Sequence, residues 1–365
     1  MQQDLTIGIL GKQVPMRSGT ITWSDGNKTV LPAIFDKNNQ NKCDAVDIPI
    51  IRYMARLPSS DRQSQHVEHL YSDVLKSKHA TSIITNCLSM NKCVKISGVP
   101  CSPPTGNFDA QYLDEQFGIS PLRQVQIHDI AKRCQNHMTP HISSTMKTFF
   151  DGMDNPNVIQ CILDVPLAHI SLPDQLRLMD HGIVHGWNGT TTTVPIQSKV
   201  HPENFTTKGW AILHQPGFLT YPHHDAEGTL TWVRMEAGYK FWAIFRLKDG
   251  ASDRVRINNL WTKLADYPTH KAWIHKNCQG EVITLRQGDM LILPPGLVHA
   301  VYTPTASFST GGHFYSYNCM HLTELSRFID VELATTATNQ DMAHALETIR
   351  RMVIALPTLS PRMGG

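Results

Sequence analysis

The second half of the chain alternates short apolar runs with turn signals. From Gly209 onward, segments rich in β-branched and aromatic residues are separated by turns such as EAG, RQGD and PPG. These segments are GWAILHQ (209–215), LTWVRM (230–235), GYKFWAIFRL (238–247), EVITLR (281–286), MLILP (290–294), HAVYT (299–303) and FSTGGHFYSY (308–317). Short strands at this spacing predict a compact all-β barrel or sandwich.

Residues 249–280 interrupt this run of strands. The segment is too polar and irregular for a core strand. We therefore predict an insertion between two halves of the barrel, a common place for substrate-specific structure.

The region upstream of the barrel has weaker patterns. Residues 61–78 predict a helix with one apolar face, and residues 1–60 give only weak strand signals. The apolar segment CVKISGVP (93–100) precedes residues 107–118 and 122–135, which predict a helix and a strand. We expect residues 93–135 to flank the barrel, and no role follows for the first 89 residues.

The C-terminal region predicts one amphipathic helix over residues 340–356. Apolar residues spaced by four, three, four and three positions form a stripe along one side of it: Met342, Leu346, Ile349, Val353 and Leu356. Such a stripe indicates a helix packed on its own domain or a dimerisation helix.

Composition and charge limit the classes of function. The chain has 365 residues, 41% hydrophobic content and a formal net charge of +2. This length and hydrophobic content are enough for a large core. The net charge lacks the basic excess of a protein that holds nucleic acid mainly through phosphates. Nucleic acid is therefore possible but not indicated by charge. The start MQQDLTIGILGKQVP has no signal-peptide pattern and no apolar run is long enough for a membrane helix, so we expect an intracellular protein without a membrane partner.

The eight cysteines suggest neither a zinc module nor a disulfide framework. They are scattered through the chain without a CxxC pair, so we expect reduced thiols.

The segment LTYPHHDAEGTLTW (219–232) contains the most informative local pattern. On an extended segment, side chains two positions apart share a face. His223 and Asp225 can therefore both face one metal ion, while His224 faces the other way.

A second histidine follows another predicted strand. In GDMLILPPGLVHAVYT (288–303), a Pro-Pro-Gly corner leads to His299. Two histidines and one carboxylate form a facial triad, which leaves three open positions on Fe(II) for a bidentate co-substrate and dioxygen. Zinc usually has a closed tetrahedral site or a different ligand set. His214, His313 and His321 are expected to pack or hydrogen-bond instead.

Several motifs together resemble the JmjC family, most closely the lysine demethylase branch that includes the F-box and PHD-finger enzymes. TYPHHDAEGTLTW matches the branch's threonine before H-x-D and the following G-T and tryptophan. GYKFW supplies a lysine seventeen residues after His223, and PPGLVHAVYTP followed by GGHFYSYN resembles the segment around the last histidine. The flank CVKISGVP...FDAQYLDEQFG (93–118) is similar to the entry to a JmjC domain.

The resemblance implies a fold, a set of cofactors and two further site residues. The fold is mainly β (α+β), a double-stranded β-helix of the jelly-roll or cupin type with flanking helices, over about residues 90–325. Residues 1–89 then form an N-terminal region of unclear role, and residues 326–365 a C-terminal helical segment. Fe(II) would bind His223, Asp225 and His299, and 2-oxoglutarate and dioxygen would be co-substrates. Lys240 and Thr220 would bind the distal carboxylate of 2-oxoglutarate.

One departure concerns the residue after H-x-D-x. The resembling demethylases have two glycines there, and this chain has Glu227 before Gly228. Glycine lets a substrate pass close to the backbone. Glu227 would narrow the channel or pair with a cationic substrate, which leaves demethylation and stable hydroxylation both open.

The resemblance leaves several functions open. The leading one is a dioxygenase that hydroxylates a C–H bond and demethylates lysine in a histone tail or another protein. The alternatives are a JmjC hydroxylase of a non-histone protein, a nucleic-acid base or a small molecule, and a catalytically silent JmjC binding module. A nuclear location is implied by the resemblance alone, and nothing in the sequence indicates the oligomeric state.

Overall fold

The computed structural model describes residues 19–155, 157–168, 172–197, 209–250, 253–333, 342 and 344–359. In these ranges the strands are β1 Thr20–Thr22, β2 Lys28–Val30, β3 Val67–Tyr71, β4 Cys93–Ser97, β5 Gln124–Asp129, β6 His141–Thr145, β7 Gln160–Pro166, β8 Trp210–His214, β9 Phe218–His223, β10 Leu230–Ala237, β11 Tyr239–Leu247, β12 Cys278–Arg286, β13 Met290–Leu293, β14 His299–Thr303 and β15 Ser307–Phe314. All the strands predicted after Gly209 are confirmed, with small changes at their ends.

Helices surround the strands and lie mainly in the flanks. They are α1 Asp47–Met54, α2 Ala80–Ser89, α3 Ala110–Phe117, α4 Ile130–Arg133, α5 Met146–Asp151, α6 Asn188–Thr190, α7 Arg254–Ala265, α8 Tyr267–Asn277, α9 Met320–Leu333 and α10 Ala345–Ala355. A π-helical segment, Gly182–Trp187, precedes α6. None of the helices in the described ranges has the length and apolar character needed to cross a membrane.

Two sheets form the centre of the molecule. One has nine strands in the order β3-β4-β13-β10-β15-β8-β7-β5-β6, and the other has four in the order β12-β11-β14-β9. All their pairings are antiparallel except that of β3 with β4. Apolar side chains of both sheets meet in one buried cluster, for example Trp210 and Val233 of the large sheet with Ile244 and Val301 of the small one. This mixed α/β architecture is compatible with a barrel or jelly roll.

The N-terminal residues pack on the small sheet. Trp23, in the turn between β1 and β2, stacks on Phe241 of β11 with ring centroids 3.8 Å apart, and its indole nitrogen donates to Thr29. Helix α1 contributes Ile50, Ile51 and Met54 to the buried cluster that contains Trp23 and Phe241. The weak strand signals in residues 1–60 therefore include one short hairpin; residues 1–18 lie outside the described part of the chain.

The helix predicted over residues 61–78 is wrong. Residues 67–71 form β3, which pairs with β4 in parallel from Val67 opposite Cys93 to Tyr71 opposite Ser97, and only Ser72–Lys76 form a 3-10 turn. Pairing with a strand that is more than twenty residues away satisfies the backbone of this segment, and that partner is invisible in local periodicity.

The segment 249–280 joins β11 to β12, as an insertion between barrel halves would. Its described part is regular, because α7 and α8 fill it, and Asp253 caps α7 by accepting a hydrogen bond from the amide of Arg256. Leu260, Trp261 and Leu264 bury one face of α7. Most of the described part of the segment is therefore helical, and the predicted insertion consists mainly of two helices.

The C-terminal helix exists, but the predicted stripe is not its packed face. Leu346 and Val353 are 68% and 61% exposed, whereas Met352 and Arg351 are buried. Arg351 lies over the Trp187 ring and donates to the carbonyl oxygens of Val194 and Pro195. The buried Arg351 guanidinium, which donates to main-chain oxygens, determines which face of α10 packs against the protein. A pattern of apolar residues cannot reveal a packed face that contains an arginine. Residues 340, 341 and 343 of the predicted helix lie outside the described residues.

Candidate metal centre

His223 and His299 lie opposite each other at the ends of two neighbouring strands. His223 is the last residue of β9, His299 is the first of β14, and the two are paired in the small sheet. Their rings lie 4.2 Å apart between centroids. Asp225 follows two residues after His223, and one ligand atom from each of the three side chains falls within 4.8 Å of the others. The described residues thus bring the three predicted ligands together in a group that could hold a metal ion.

Backbone carbonyls orient both imidazoles. Nδ1 of His223 donates to the Tyr221 carbonyl oxygen at 2.9 Å, and Nδ1 of His299 donates to the Leu297 carbonyl oxygen at 3.0 Å. Because a carbonyl only accepts, the proton of each neutral ring lies on Nδ1 and the Nε2 lone pair is left for a ligand. This is the usual arrangement around a metal-bound histidine.

The pKa values of these histidines favour the same state. Burial, helped by His299, lowers the pKa of His223 to about 4. Burial also lowers the pKa of His299. Both rings are therefore neutral near neutral pH, which is the form that binds a metal ion.

His224 faces away from this group. Its Nε2 lies 2.6 Å from Oδ1 of Asp330 in α9, and its ring packs edge-on against Trp261 of α7. The alternation of side chains along β9 therefore gives adjacent histidines different surroundings, one beside the other candidate ligands and one in the helical layer.

The group opens into a cavity of about 280 Å³. Residues from both sheets, from α4 and from the end of α7 line it, including Thr220, Lys240, His214, Trp242 and Asp164. It therefore contains all five site residues expected from the sequence.

Lys240 lies at the inner end of this cavity. It is 2% exposed, and its Nζ lies 3.1 Å from Nδ1 of His214. No carboxylate among the described residues forms a salt bridge with it. Burial lowers its pKa to about 7, slightly opposed by Cys161. A buried ammonium without an acidic partner is costly, so this position favours an anionic ligand.

Other hydrogen-bond donors in the cavity also lack acceptors. Nε2 of His214 and the indole nitrogens of Trp210 and Trp242 are buried, and no partner for them exists in the described part of the chain. Unsatisfied buried polar groups are rare in native structures, and several in one cavity indicate a ligand rich in acceptors. Sequence reasoning assigned His214 to packing or hydrogen bonding, because the shared lack of acceptors appears only after folding.

Thr220 lies between the two ends of the cavity. It pairs with Val301 of β14, and Val301 pairs with Trp242 of β11, so the three share one row of the small sheet. On one side of this row lie His223 and His299, which pair with each other. On the other side lies Lys240, two residues before Trp242 in β11 and four before Ile244, the residue opposite His299. Thr220 can therefore contact a ligand that extends from the metal group to Lys240.

Asp164 is a residue that the sequence analysis missed. It lies in β7 where the register with β8 shifts, and its φ of 56° is left-handed, which is unfavourable for a residue other than glycine. Its side chain lines the cavity, and burial together with Asp225 raises its pKa to about 6. Strained positions of this kind cluster at functional sites. Asp164 does not belong to the group of three ligand atoms, but its charge would favour a cation bound nearby.

The mouth of the cavity has a rigid wall. Arg133 of α4 forms a bidentate pair with Asp47 of α1 at 3.0 and 2.9 Å and lies over the Tyr221 ring at 4.1 Å. The Tyr221 hydroxyl donates to the same Asp47 at 2.6 Å, and His137 stacks on the outer side of that ring. Because Asp47 neutralises Arg133, this wall contributes to the shape of the cavity but adds little charge to it.

Glu227 does not line the cavity described above. Its carboxylate pairs with Arg327 of α9, its amide donates to Asp330, and its carbonyl oxygen accepts from the Tyr315 hydroxyl. Its φ is 61° and that of Gly228 is 66°, which explains why glycine suits both positions. A Cβ on Gly228 would lie 2.6 Å from the Thr323 carbonyl oxygen, so that glycine is required by close packing on α9. Neither expectation for Glu227, a narrowed channel or a pair with a cationic substrate, agrees with this position.

The geometry as a whole provides two complementary ends. One end has two neutral imidazoles and the Asp225 carboxylate, which suit a divalent cation with open positions. The other end has the Lys240 ammonium and the N–H group of His214, which suit a carboxylate. The residues therefore fit Fe(II) together with a small dicarboxylate.

Comparison with known proteins gives limited support. No model of a protein family matches the chain. A stretch of 136 residues is 28% identical to the JmjC domain-containing histone demethylation protein 1 of Debaryomyces hansenii. The match covers 34% of this chain and spans 25% of the length of that protein. This partial similarity supports a JmjC-type protein and leaves the branch of the family unassigned.

Proposed function

We propose that the chain is an Fe(II)- and 2-oxoglutarate-dependent dioxygenase of the JmjC type, built on a double-stranded β-helix. The observation that carries the proposal is the cavity in which His223, Asp225 and His299 share one end and buried Lys240 lies at the other. A JmjC relative supports the same family.

The residues of this chain have distinct roles in the proposed reaction. His223, Asp225 and His299 would hold Fe(II) on one side, while the carbonyls of Tyr221 and Leu297 keep both rings in the required tautomer. Lys240 and Thr220 would bind the distal carboxylate of 2-oxoglutarate and so orient the co-substrate. Bound Fe(II) would supply activation of dioxygen, coupled to conversion of 2-oxoglutarate into succinate and oxidation of a substrate C–H bond.

The apolar walls also contribute. Trp242 stacks on His299 with centroids 5.1 Å apart, and Ile212, Phe218 and Val301 surround the route to Lys240. A low-polarity wall excludes water and strengthens each charge interaction in the cavity.

For the substrate we propose a protein, with a methylated lysine in a histone tail as the first choice. The support is the printed name of the relative, a histone demethylation protein. A nuclear location would follow from that substrate. A JmjC hydroxylase acting on another protein, a nucleic-acid base or a small molecule, or a silent binding module, would be distinguished by experiment.

The test is succinate formation by protein reconstituted anaerobically with Fe(II) and then given oxygen and 2-oxoglutarate. We expect turnover in the wild type and loss in His223→Ala and Asp225→Ala. His321→Ala is the matched control, because His321 is exposed on α9 and its Nε2 lies 3.1 Å from the Ser89 carbonyl oxygen, outside the cavity lining. A wild type that binds Fe(II) but forms no succinate with any methylated peptide or oligonucleotide would favour the binding module.

A further inference from the structure

A second concave site lies outside the metal cavity, between α1 and α8. It has a volume of about 430 Å³, and its charged lining consists of Arg52, Arg56, Lys271, Asp44 and a histidine. Asp44 already accepts a hydrogen bond from the side chain of Asn41. The cleft therefore has a clear excess of positive charge.

Basic side chains lie on both sides of the cleft. Arg52 is in the last turn of α1, Arg56 follows two residues after that helix ends, and Lys271 lies on α8. Burial, and then Lys271 and Arg56, lower the pKa of His275, so this ring is mostly neutral near neutral pH. The positive charge of the cleft therefore comes from the two arginines and the lysine.

None of the acidic residues in the described ranges forms an ion pair with these cations. Arg52, Arg56 and Lys271 are exposed, and in the described ranges none of them forms an ion pair or a side-chain hydrogen bond. The general preference for cations near helix C-termini accounts for Arg52 and Arg56 at the end of α1, but not for Lys271, which lies in the middle of α8.

The floor of the cleft is aromatic and contains an unused donor. The rings of Tyr53 and His275 stack with centroids 4.7 Å apart, and the Tyr267 hydroxyl lies 3.0 Å from Nε2 of His275. Tyr53 is 8% exposed, and its hydroxyl has no hydrogen-bond partner among the described residues. A buried hydroxyl without an acceptor is the second observation that indicates a ligand here.

We propose that this cleft binds a phosphate group. Two guanidinium groups and an ammonium around a concave floor match a multiply charged oxyanion, because each guanidinium can donate two parallel hydrogen bonds. The cleft is compact and the net charge of the chain is only +2, so a small phosphorylated molecule fits better than a long nucleic-acid backbone.

The cleft and the metal cavity border the same helical junction. Ala265, at the end of α7, lines the metal cavity, and Tyr267, at the start of α8, lines the cleft. The proposal does not depend on the chemistry of the metal cavity, since its test measures binding to protein without metal.

The test is calorimetric titration of the full chain at low ionic strength with pyrophosphate and, separately, with a short DNA duplex. The variant is the double substitution Arg56→Gln and Lys271→Gln, which removes one cation from each side of the cleft. Lys276→Gln is the matched control, because Lys276 is an exposed cation of α8 that does not line the cleft. Circular dichroism checks that the variants keep the fold.

We expect the wild type and Lys276→Gln to bind pyrophosphate alike, and the double variant to bind at least about tenfold more weakly. If the double variant instead binds the DNA duplex tenfold more weakly than the wild type does, the phosphate site is supported and nucleic acid is the source of the phosphate. A wild type that binds neither probe, or a double variant that binds like the control, would overturn the proposal.

Discussion

The two ends of the metal cavity carry chemically opposite groups, metal ligands at one end and hydrogen-bond donors at the other. At the outer end, two imidazole nitrogens and a carboxylate, from His223, His299 and Asp225, can act as ligands of a cation. At the inner end, Lys240 forms no salt bridge among the described residues, and Nε2 of His214 has no hydrogen-bond partner there. A different part of a metal–dicarboxylate complex would satisfy each end. The comparison therefore indicates a site for two ligands, and a separate substitution can test each end.

The largest expected effect is at the outer end. Asp225→Ala removes the anionic ligand, and we expect the affinity for Fe(II) or Mn(II) to fall by at least about 100-fold. Anaerobic metal titration measures it, with Asp174→Asn as a control because Asp174 is exposed on a surface turn. Unchanged metal affinity in Asp225→Ala would contradict the assignment of this end.

The inner end is tested by Lys240→Met, which keeps the length of the side chain but removes its charge. Loss of a charge-assisted hydrogen bond of about 1.5–3 kcal/mol weakens 2-oxoglutarate binding by roughly 10- to 100-fold. Metal affinity should stay unchanged, because Lys240 belongs to the inner end. Equal weakening of both ligands would mean that the two ends are not independent.

Lys240 also predicts a pH dependence of stability without ligand. Its folded pKa is about 7, below the ordinary value of 10.5, so between these values the unfolded chain binds the extra proton. Stability therefore rises with pH through this window, with a slope of at most about 1.4 kcal/mol per pH unit. Denaturant unfolding of wild type and Lys240→Met measures it. The variant should lack this component, and an identical slope in both proteins would reject the explanation.

Asp164→Asn tests whether the second carboxylate belongs to the metal end. Removing its charge while keeping its size should weaken divalent-metal binding by roughly three- to tenfold. 2-Oxoglutarate binding should improve or stay the same, because one repulsive charge is lost. Weaker 2-oxoglutarate binding with normal metal binding in this variant would show that Asp164 acts at the inner end of the cavity.

The smallest effect is expected for Glu227→Gly. The glycine relieves a left-handed conformation that costs about 1 kcal/mol, and the lost pair with Arg327 contributes about 0–1 kcal/mol, so the unfolding free energy changes little. Both ligand affinities should be unchanged, since Glu227 does not line the described cavity. A changed affinity for either ligand would show that this carboxylate influences the site.

The sequence determined the features that depend on local alternation. Strand periodicity after Gly209 predicted the segments that form the sheets, and the two-residue spacing of His223 and Asp225 distinguished His223 from His224. These inferences hold because a pleated strand sends alternate side chains to opposite faces in every protein. The metal group could be expected once a second histidine strand was found.

Only the tertiary structure decided which distant residues share an environment. Asp164 comes from a bulge of another strand, and the deficit of acceptors around Lys240 appears when β8 and β11 meet. The same holds for β3, which pairs with β4, and for α10, whose packed face is set by Arg351. Local sequence predicts these poorly, because the free energy of burying a polar or strained group depends on partners that folding brings together.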